Sequence, residues 1–320
     1  MIDSLSNVPA VEAVGLVKRY DELLAVDDLT LSVAQGDVYG ILGPNGAGKT
    51  TFLRMLFGLI RPDHGSVKLF GQSVEENAVR ALEGVGGFIE TPRFYTYMSG
   101  RRNLTLLARL DLDRHAGKRI DEMLELVDLG GRGDDKVGTY SYGMRQRLGV
   151  AASLLRDPRL LVVDEPTNGL DPAGMRDMRV LIKRLADTGL TVLLSSHHML
   201  EVEEICQHVT IMGTGKVVFH GSLDDLRALA PETEYALSTP DPVRAAALCA
   251  DARGVREVRA EGTIIHLLAA ERAIEELSVA LGVAGIPIRS LAPARAPLES
   301  LFFRLTGSDA HLHFATTDAA

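Results

Sequence analysis

The chain of 320 residues contains no tryptophan and only two cysteines, Cys206 and Cys249. Two cysteines cannot form a disulfide framework and lack metal-binding spacing, so we expect both to be unpaired in a reducing compartment. Uncharged runs such as Gly189–Leu200 and Leu277–Ile288 are much shorter than the ~20 apolar residues of a membrane-spanning helix. The first residues lack a basic start followed by an apolar stretch, so no secretory signal is predicted. These absences predict a cytoplasmic protein with no membrane span of its own.

Positive charge is also scarce, because 34 lysines and arginines stand against 43 aspartates and glutamates, a formal net charge of −9. We expect no nucleic-acid partner, since nucleic-acid-binding proteins present an excess of basic residues. Hydrophobic residues make up 46% of the chain and charged residues 24%, which excludes a disordered chain. The length is about twice the ~150 residues of an average domain, so one large and one smaller domain are expected.

Short apolar runs alternate with helical stretches in the first part of the chain, as in an α/β fold. Leu160–Val163 is wholly aliphatic, which is typical of a strand buried on both faces of a parallel sheet, and Thr191–Ser195 repeats this pattern. The later part has the order β-α-β-β-α-β, a ferredoxin-like arrangement whose last strand is predicted at Ile286–Leu291. We predict a first domain of residues 1–222, a small C-terminal α+β domain of residues 223–308 and a flexible tail of residues 309–320.

A glycine-rich segment that begins at Gly43 fits the phosphate-binding pattern G-x-x-x-x-G-K-[ST]. It follows the predicted strand Val38–Leu42 and opens a predicted helix, which is the context this motif requires. Glycines let successive N–H groups point at one anion, and the helix adds its positive dipole end. Lys49 can bridge the β- and γ-phosphates, and the Thr50 hydroxyl can reach Mg²⁺. The candidate nucleotide-binding residues here are Gly43, Pro44, Asn45, Gly46, Ala47, Gly48, Lys49, Thr50 and Thr51.

Two acidic residues, Asp164 and Glu165, come directly after the aliphatic run Leu160–Val163. The carboxyl ends of strands line the ligand crevice in open α/β sheets. Asp164 is therefore a candidate for the Mg²⁺ shell, and Glu165 a candidate base or water-orienting residue at the γ-phosphate. The alternatives are a solvated turn for the acids and a glycine-rich turn with a solvated lysine for the loop. Finding both motifs in one chain favours a nucleotide site.

The ordered set of motifs resembles the ATP-binding subunits of ABC transporters over about residues 10–222. The resemblance is nearest to exporters of the drug, bacitracin and lantibiotic-resistance type. It implies an α/β P-loop ATPase domain with a mixed sheet core and a helical subdomain, which hydrolyses ATP with Mg²⁺. The segments that carry it are Tyr20, the phosphate loop, Phe88–Tyr95 (FIETPRFY), Tyr140–Arg147 (YSYGMRQR), Asp164–Thr167 (DEPT), Gly169–Asp171 (GLD), Ser195–His197 (SSH) and Leu298–Phe302 (LESLF).

The resemblance implies roles for several single residues. Tyr20 matches an aromatic residue that stacks on adenine, although a tyrosine buried in the core is the alternative. Ser141 and Gly143 match the signature loop, which contacts the γ-phosphate held by a second copy. Asp171 matches an acidic residue that communicates between the two sites, and His197 matches a switch histidine that senses the γ-phosphate. The catalytic candidates are Glu165, His197 and Lys49.

Three positions depart from the family pattern. The usual signature has Gly where Tyr142 stands and Gln where Met144 stands. The loop after Phe88-Ile89 usually carries Gln, and here it carries Glu90. Glu90 can still offer an oxygen to Mg²⁺ or water, but it adds a negative charge beside the phosphates. The metal candidates are therefore Thr50, Glu90 and Asp164.

A cluster of large side chains, Phe94, Tyr95, Tyr97 and Met98, follows the Glu90 loop. Exposed aromatic clusters favour protein interfaces, and in the resembled family this region receives the coupling helix of the membrane subunit. The alternative is a small local core. A separate acidic group, Glu201, Glu203 and Glu204, is expected to form a solvated helix face.

The resemblance implies a homodimer, or a pair with a similar chain, that sandwiches two ATP-Mg head to tail. It would lie at the inner face of the membrane and drive a separate permease that exports a drug, antibiotic or peptide. One alternative is a soluble ABC-type ATPase switch with a non-membrane partner, which the single motif set and the short gap between Glu90 and Ser141 disfavour. Another is a module that holds ATP without hydrolysis, which Lys49, Asp164 and Glu165 disfavour.

Overall fold

The computed structural model describes residues 8–109, 116–229, 233–293 and 297–307. The chain divides into two compact units, Met1–Leu223 and Asp224–Ala320, each with a hydrophobic core. Among the helices within the described ranges, none is both long enough and apolar enough for a membrane crossing. The two cysteines are buried and unpaired, as predicted. The tail predicted at residues 309–320 lies outside the described residues.

Strands and helices alternate along the first unit. Strands β3, β7 and β8 of this unit are buried at every position, and for β7 and β8 the runs Leu160–Val163 and Thr191–Ser195 predict this burial. The elements in chain order are β1 (Val11–Tyr20), β2 (Leu23–Val33), β3 (Val38–Leu42), α1 (Lys49–Leu56), β4 (His64–Leu69), β5 (Gln72–Ser73), α2 (Ala78–Ala81), β6 (Val85–Phe88), α3 (Gly100–Ala108), α4 (Ala116–Leu126), 3-10 turns at Gly130–Arg132 and Val137–Thr139, α5 (Tyr142–Leu154), β7 (Leu160–Asp164), α6 (Pro172–Ala186), β8 (Thr191–Ser196), α7 (Met199–Ile205), β9 (His208–Gly213) and β10 (Lys216–Ser222).

Two sheets build the core of the first unit. The larger has the strand order β10-β9-β3-β8-β7-β6, and its strands run parallel except for β10, which pairs antiparallel with β9. The smaller is antiparallel, with the order β2-β1-β4-β5. Side chains of both sheets and of α1 share one apolar cluster, which includes Leu16, Ile41 and Phe52. The predicted mixed sheet core is therefore confirmed.

Helices α3, α4 and α5 pack on one another and form the helical part of the first unit. Ser99 caps α3, because its side chain accepts a hydrogen bond from the Arg102 amide, and Ser141 caps α5 in the same way through Met144. Helix α5 also contacts β6. At that contact a Cβ on Gly149 would lie 2.3 Å from Pro92 Cγ, so only glycine permits this close approach.

The second unit contains one antiparallel sheet and the helices that cover it. The strand order β12-β13-β11-β14, combined with the β-α-β-β-α-β sequence, is the predicted ferredoxin-like arrangement. The elements are α8 (Leu223–Ala228), which spans the boundary, β11 (Thr233–Ser238), α9 (Pro242–Asp251), β12 (Val255–Glu261), β13 (Ile264–Ala269), α10 (Glu271–Val283), β14 (Ser290–Pro293) and α11 (Pro297–Thr306).

The last strand of this sheet is displaced from its predicted position. The sequence predicts it at Ile286–Leu291, whereas β14 begins only at Ser290. Pro287 has no N–H to donate to a neighbouring strand, and its carbonyl accepts a hydrogen bond from the Thr239 hydroxyl outside the ladder of the sheet. Regular pairing starts after Arg289, whose amide bonds the carbonyl of Ser238.

Candidate active site

Four neighbouring parallel strands end at the same edge of the larger sheet. The phosphate loop follows β3, Glu90 follows β6 after one residue, Glu165 follows β7, and His197 follows β8. Because these strands are adjacent in the order β3-β8-β7-β6, segments that are distant in sequence come together. The edge therefore carries the candidate nucleotide and catalytic residues.

The phosphate loop packs so closely on its surroundings at two glycines that a side chain is excluded there. A Cβ on Gly43 would lie 2.6 Å from the Met212 carbonyl oxygen, and one on Gly48 would lie 2.3 Å from that of Ala25. Gly46 and Gly48 also have left-handed backbone, with φ of 83° and 100°. Glycine is therefore required at these positions by geometry. The remaining loop residues Pro44, Asn45 and Ala47 complete the turn into α1, whose first residues are Lys49, Thr50 and Thr51.

Lys49 is buried and its ammonium points back into the loop. Its Nζ donates hydrogen bonds to the carbonyl oxygens of Gly43 at 2.6 Å and Pro44 at 3.3 Å. The same ammonium lies 3.1 Å from Glu165 Oε1. A buried cation beside a glycine-rich loop that opens a helix is a site for phosphate, and its distance to Glu165 links that site to the catalytic candidate.

Asp164 is buried and both of its carboxylate oxygens accept hydrogen bonds. The Thr50 hydroxyl donates to Oδ2 at 3.0 Å, and the Ser195 hydroxyl donates to Oδ1 at 2.5 Å. A hydroxyl and a carboxylate held together are oxygen ligands of the kind that Mg²⁺ takes, with waters and phosphate oxygens in the other positions. In the described part of the chain no three His, Cys, Asp or Glu side chains converge on a metal site. The donor set thus fits a Mg²⁺ ion that is shared with a phosphate.

Glu165 lies between Lys49 and His197. Its Oε2 is 2.6 Å from His197 Nδ1, and its amide donates to the Ser195 hydroxyl oxygen at 2.9 Å. Glu165 has a left-handed φ of 48°, which is rare outside glycine and is typical of functional sites held in place by their surroundings. The His197 ring also contacts that of His198, with ring centroids 3.9 Å apart and the planes tilted by 42°. The carboxylate is therefore held by an imidazole on one side and an ammonium on the other.

The negative charge of Glu90 is balanced by an arginine on α1. Its Oε1 lies 2.5 Å from Arg54 Nη2, and Arg54 follows Thr50 by one helical turn on α1. Glu90 also has a left-handed φ of 63°. The arginine offsets the negative charge that this substitution for glutamine brings to the site.

Ser141, Gly143 and Asp171 line a common groove of about 330 Å³. Two helices begin there, because Ser141 caps α5 and Asp171 caps α6 through a 3.0 Å bond from the Gly174 amide. The groove therefore joins the amino ends of two helices, which favours an anionic ligand. These three candidates form a group separate from the phosphate-loop residues.

Tyr20 ends β1 and is 40% exposed, so it is not a core tyrosine. It pairs with Leu23 across the turn into β2, the strand whose Ala25 borders the phosphate loop. Lys18 Nζ lies 5.6 Å from the centre of its ring. An exposed aromatic face on this hairpin is available to a planar ligand.

The aromatic cluster after Glu90 is largely exposed, which excludes a closed local core. The side chains of Tyr95 and Tyr97 are 56% and 65% exposed, with ring centroids 5.7 Å apart. Phe94 is half-buried and lines an open groove of about 370 Å³ between β6, α3 and α5. Two arginines, Arg93 and Arg156, also line this groove.

The expectation of a solvated acidic face on α7 is wrong at Glu201, which is 1% exposed. The Ser196 hydroxyl donates to Glu201 Oε2 at 2.6 Å. Burial raises the pKa of this carboxyl, although hydrogen bonds from Ser196 and Thr167 act in the opposite direction. The error arose because three acids in four positions look like a polar face, whereas Glu201 lies one turn before the buried Ile205 on the core side.

Sequence reasoning did not find Arg54, Ser195 as a ligand-positioning residue, or the contacts of Tyr142. A signal existed for Arg54, because it lies four residues after Thr50 and so shares its helix face. Ser195 was quoted only as part of the SSH motif, yet its hydroxyl joins Asp164 to Glu165. Its role follows from the register of β7 and β8, in which Asp164 pairs with Ser195.

Comparison with known proteins is consistent with this geometry. A family model described as ABC transporter matches residues 26–168. An uncharacterised ABC transporter ATP-binding protein of Bacillus subtilis is 38% identical, over 93% of this chain and 96% of the relative. A bacitracin transport ATP-binding protein of Bacillus licheniformis is 43% identical over 68% and 71%, and a daunorubicin resistance ATP-binding protein of Streptomyces coeruleorubidus is 36% identical over 94% and 96%.

Solved structures share the architecture of the first unit. A structure described as the ATP binding subunit of an ABC transporter matches with a TM-score of 0.61 and 27% identity. The match covers 68% of this chain and 92% of that chain. The α/β architecture predicted from the sequence is therefore found in solved relatives.

Proposed function

Since the chain belongs to the ABC transporter ATP-binding family, we propose that it is the ATP-hydrolysing subunit of an exporter for a drug, antibiotic or peptide. The relatives named for bacitracin transport and daunorubicin resistance support this class of substrate. The observation that carries the proposal is the network in which Lys49, Glu165 and His197 lie within hydrogen-bond distance beside the Thr50–Asp164 pair. The sandwich dimer, the permease, Mg²⁺ and the place at the inner membrane face are parts of the proposal.

Catalysis requires Lys49 to change partners. Its ammonium contacts Glu165 and the carbonyls of Gly43 and Pro44. The β- and γ-phosphates of ATP, bound in the loop, are stronger hydrogen-bond acceptors than these carbonyls. When Lys49 turns to the phosphates, Glu165 Oε1 becomes free to accept a hydrogen bond from water. His197 keeps the carboxylate oriented through Oε2. Binding of phosphate by Lys49 therefore releases the Glu165 carboxylate for catalysis.

Hydrolysis then proceeds by attack of that water on the γ-phosphorus. The bond from phosphorus to the bridging oxygen breaks as the new bond to water oxygen forms, and Glu165 accepts the proton of the water. Thr50 and Asp164, with Glu90 as a further oxygen donor, would hold Mg²⁺, which neutralises charge on the phosphate oxygens. The groove of Ser141, Gly143 and Asp171 is separate from the phosphate loop of the same chain. We therefore propose that these residues contact the nucleotide bound by a second copy, with Ser141 and Gly143 at its γ-phosphate.

The groove beside Phe94 is the proposed contact with the permease. It combines an apolar lining with two arginines and is bordered by exposed Tyr95 and Tyr97, a composition typical of interface cores and rims. Its lining residues Phe88 and Pro92 each lie two residues from Glu90, so displacement there can reach the nucleotide site. A soluble switch would need a different partner at the same groove.

The test is a Glu165→Gln variant, which keeps the size of the side chain and removes the proton acceptor. We expect hydrolysis to fall about 100- to 10,000-fold, as for loss of a general base, and an ATP-dependent dimer to accumulate in size-exclusion chromatography with light scattering. The control is Glu165→Gln combined with Lys49→Ala, which we expect to remain monomeric. A Glu165→Gln protein that stays monomeric at saturating ATP would falsify the dimer scheme.

A further inference from the structure

Tyr142 replaces the glycine of the usual signature and contacts two segments outside its own helix. Its hydroxyl is 3.1 Å from Thr91 Oγ1, one residue after Glu90, and it accepts a 3.0 Å bond from Gln146 Nε2 on the next turn of α5. A phenol has one hydrogen and can accept at the same time, so it can donate to Thr91 while it accepts from Gln146.

The ring of Tyr142 makes a second set of contacts. Its edge carbons lie 3.4–3.9 Å from where a Cβ of Gly169 would be, and Gly169 has a left-handed φ of 77°. Gly169 precedes Leu170 and Asp171, the residue that caps α6. The guanidinium of Arg145 lies 5.9 Å from the ring centre. One side chain therefore touches both the Glu90 segment and the Asp171 segment.

These contacts fix the start of α5 relative to its neighbours. Ser141, adjacent to Tyr142, caps this helix and lines the groove that includes Asp171. Gln146 is buried at 2% exposure, so the hydroxyl is anchored on its own helix and cannot follow Thr91 without moving α5. A shift of the Glu90 segment is then carried to the Ser141 end of the helix.

We propose that Tyr142 is a positioning residue that ties the signature loop of Ser141 and Gly143 to the Glu90 segment through Thr91. The inference rests on the proposed function, because the signature loop acts on the nucleotide of a second copy. Its consequence is that Thr91 and Tyr142 control dimer closure, whereas nucleotide binding to the single chain depends on the phosphate loop.

The experiment uses four changes in the full-length Glu165→Gln protein: Tyr142→Phe, Thr91→Val, both together, and Thr91→Ser. We expect Thr91→Val to weaken ATP-dependent dimerisation about fivefold, the effect of one typical hydrogen bond, measured by analytical ultracentrifugation. Tyr142→Phe should weaken it at least as much, because it removes the same bond and also leaves Gln146 Nε2 without its acceptor. The double variant should be no weaker than Tyr142→Phe, because the bond to Thr91 is already lost in that variant. Thr91→Ser keeps a hydroxyl and should behave as the parent does. Affinity of the monomer for a fluorescent ATP analogue should be unchanged in all four.

Hydrogen exchange on the monomer gives a readout that does not need a dimer. Thr91→Val and Tyr142→Phe should speed exchange of the amides of Gly143–Gln146 about fivefold, and Thr91→Ser should not. Unchanged exchange at these amides, or effects on dimerisation that multiply in the double variant, would overturn the proposal. Failure of the Glu165→Gln parent to dimerise overturns the proposed function alone, since the exchange result still decides the role of Tyr142.

Discussion

At the residue scale, the site depends on side chains in backbone conformations that their residue types rarely adopt. Glu90 and Glu165 both have left-handed φ, and both turn a carboxylate towards a cation, Arg54 or Lys49. The sequence predicts such acids at strand ends but gives no sign of positive φ, which belongs mainly to glycine and asparagine. It also cannot reveal which cation pairs with which acid, because that depends on tertiary contacts.

The burial of Glu201 can be tested by measuring the stability of the protein as a function of pH. The pKa of the Glu201 carboxyl is raised in the folded protein from its ordinary value of 4.5. The protonated carboxyl therefore contributes stability at low pH. This contribution is lost as the pH rises from about 4.5 through the pKa of the folded state. We expect Glu201→Gln, which is neutral throughout, to gain stability relative to the wild type as pH rises in urea unfolding. The matched control is Glu203→Gln on the same helix. Parallel pH curves for wild type and Glu201→Gln would contradict the assignment.

Tyr20 gives a test of nucleotide stacking. Aromatic stacking on a base contributes ~1–3 kcal/mol and does not distinguish between bases. Replacement of Tyr20 by alanine should therefore weaken ATP and GTP binding by similar factors, about 5- to 100-fold, in equilibrium fluorescence titrations. Tyr20→Phe keeps the ring and should bind almost as the wild type does. An unchanged affinity in the alanine variant would exclude adenine stacking by this residue.

At the element scale, prediction from sequence succeeds where a pattern has one physical meaning. The aliphatic run of β7 and the similar run of β8 predict strands buried on both faces, and the loop between β3 and α1 follows from its glycines. It fails at β14, because Pro287 has no N–H for a neighbouring strand and the pairing with β11 begins only at Ser290. The packing of α5 on Pro92 was also beyond prediction, since it links segments 57 residues apart in the numbering (149 − 92).

Gly149 gives a test of that packing. An added methyl would meet Pro92 at 2.3 Å, so Gly149→Ala should displace α5 from the segment after Glu90. We expect a loss of about 1–3 kcal/mol in the free energy of unfolding, as for overpacked cores. The control is Gly117→Ala in α4, where an added Cβ meets nothing within 4 Å, and it should be neutral or slightly stabilising. Equal effects of the two substitutions in urea unfolding would contradict the close contact.

At the scale of the whole molecule, the chain carries one set of nucleotide motifs in its first unit and a ferredoxin-like second unit. The candidate residues form two groups, one around the phosphate loop and one in the groove of Ser141 and Asp171. The family resemblance predicts that each group completes the site of a second copy. The proposed dimer therefore predicts that a single chain is insufficient for hydrolysis.

Mixing two inactive proteins tests that claim most directly. Lys49→Ala removes the phosphate-loop cation, and Ser141→Arg blocks the exposed signature groove. If sites are shared, a mixed dimer pairs the intact phosphate loop of the Ser141→Arg chain with the intact signature loop of the Lys49→Ala chain. We predict that neither protein hydrolyses ATP alone and that the mixture does, in a steady-state phosphate-release assay. Full hydrolysis by Ser141→Arg alone, or a mixture as inactive as its components, would contradict the shared site.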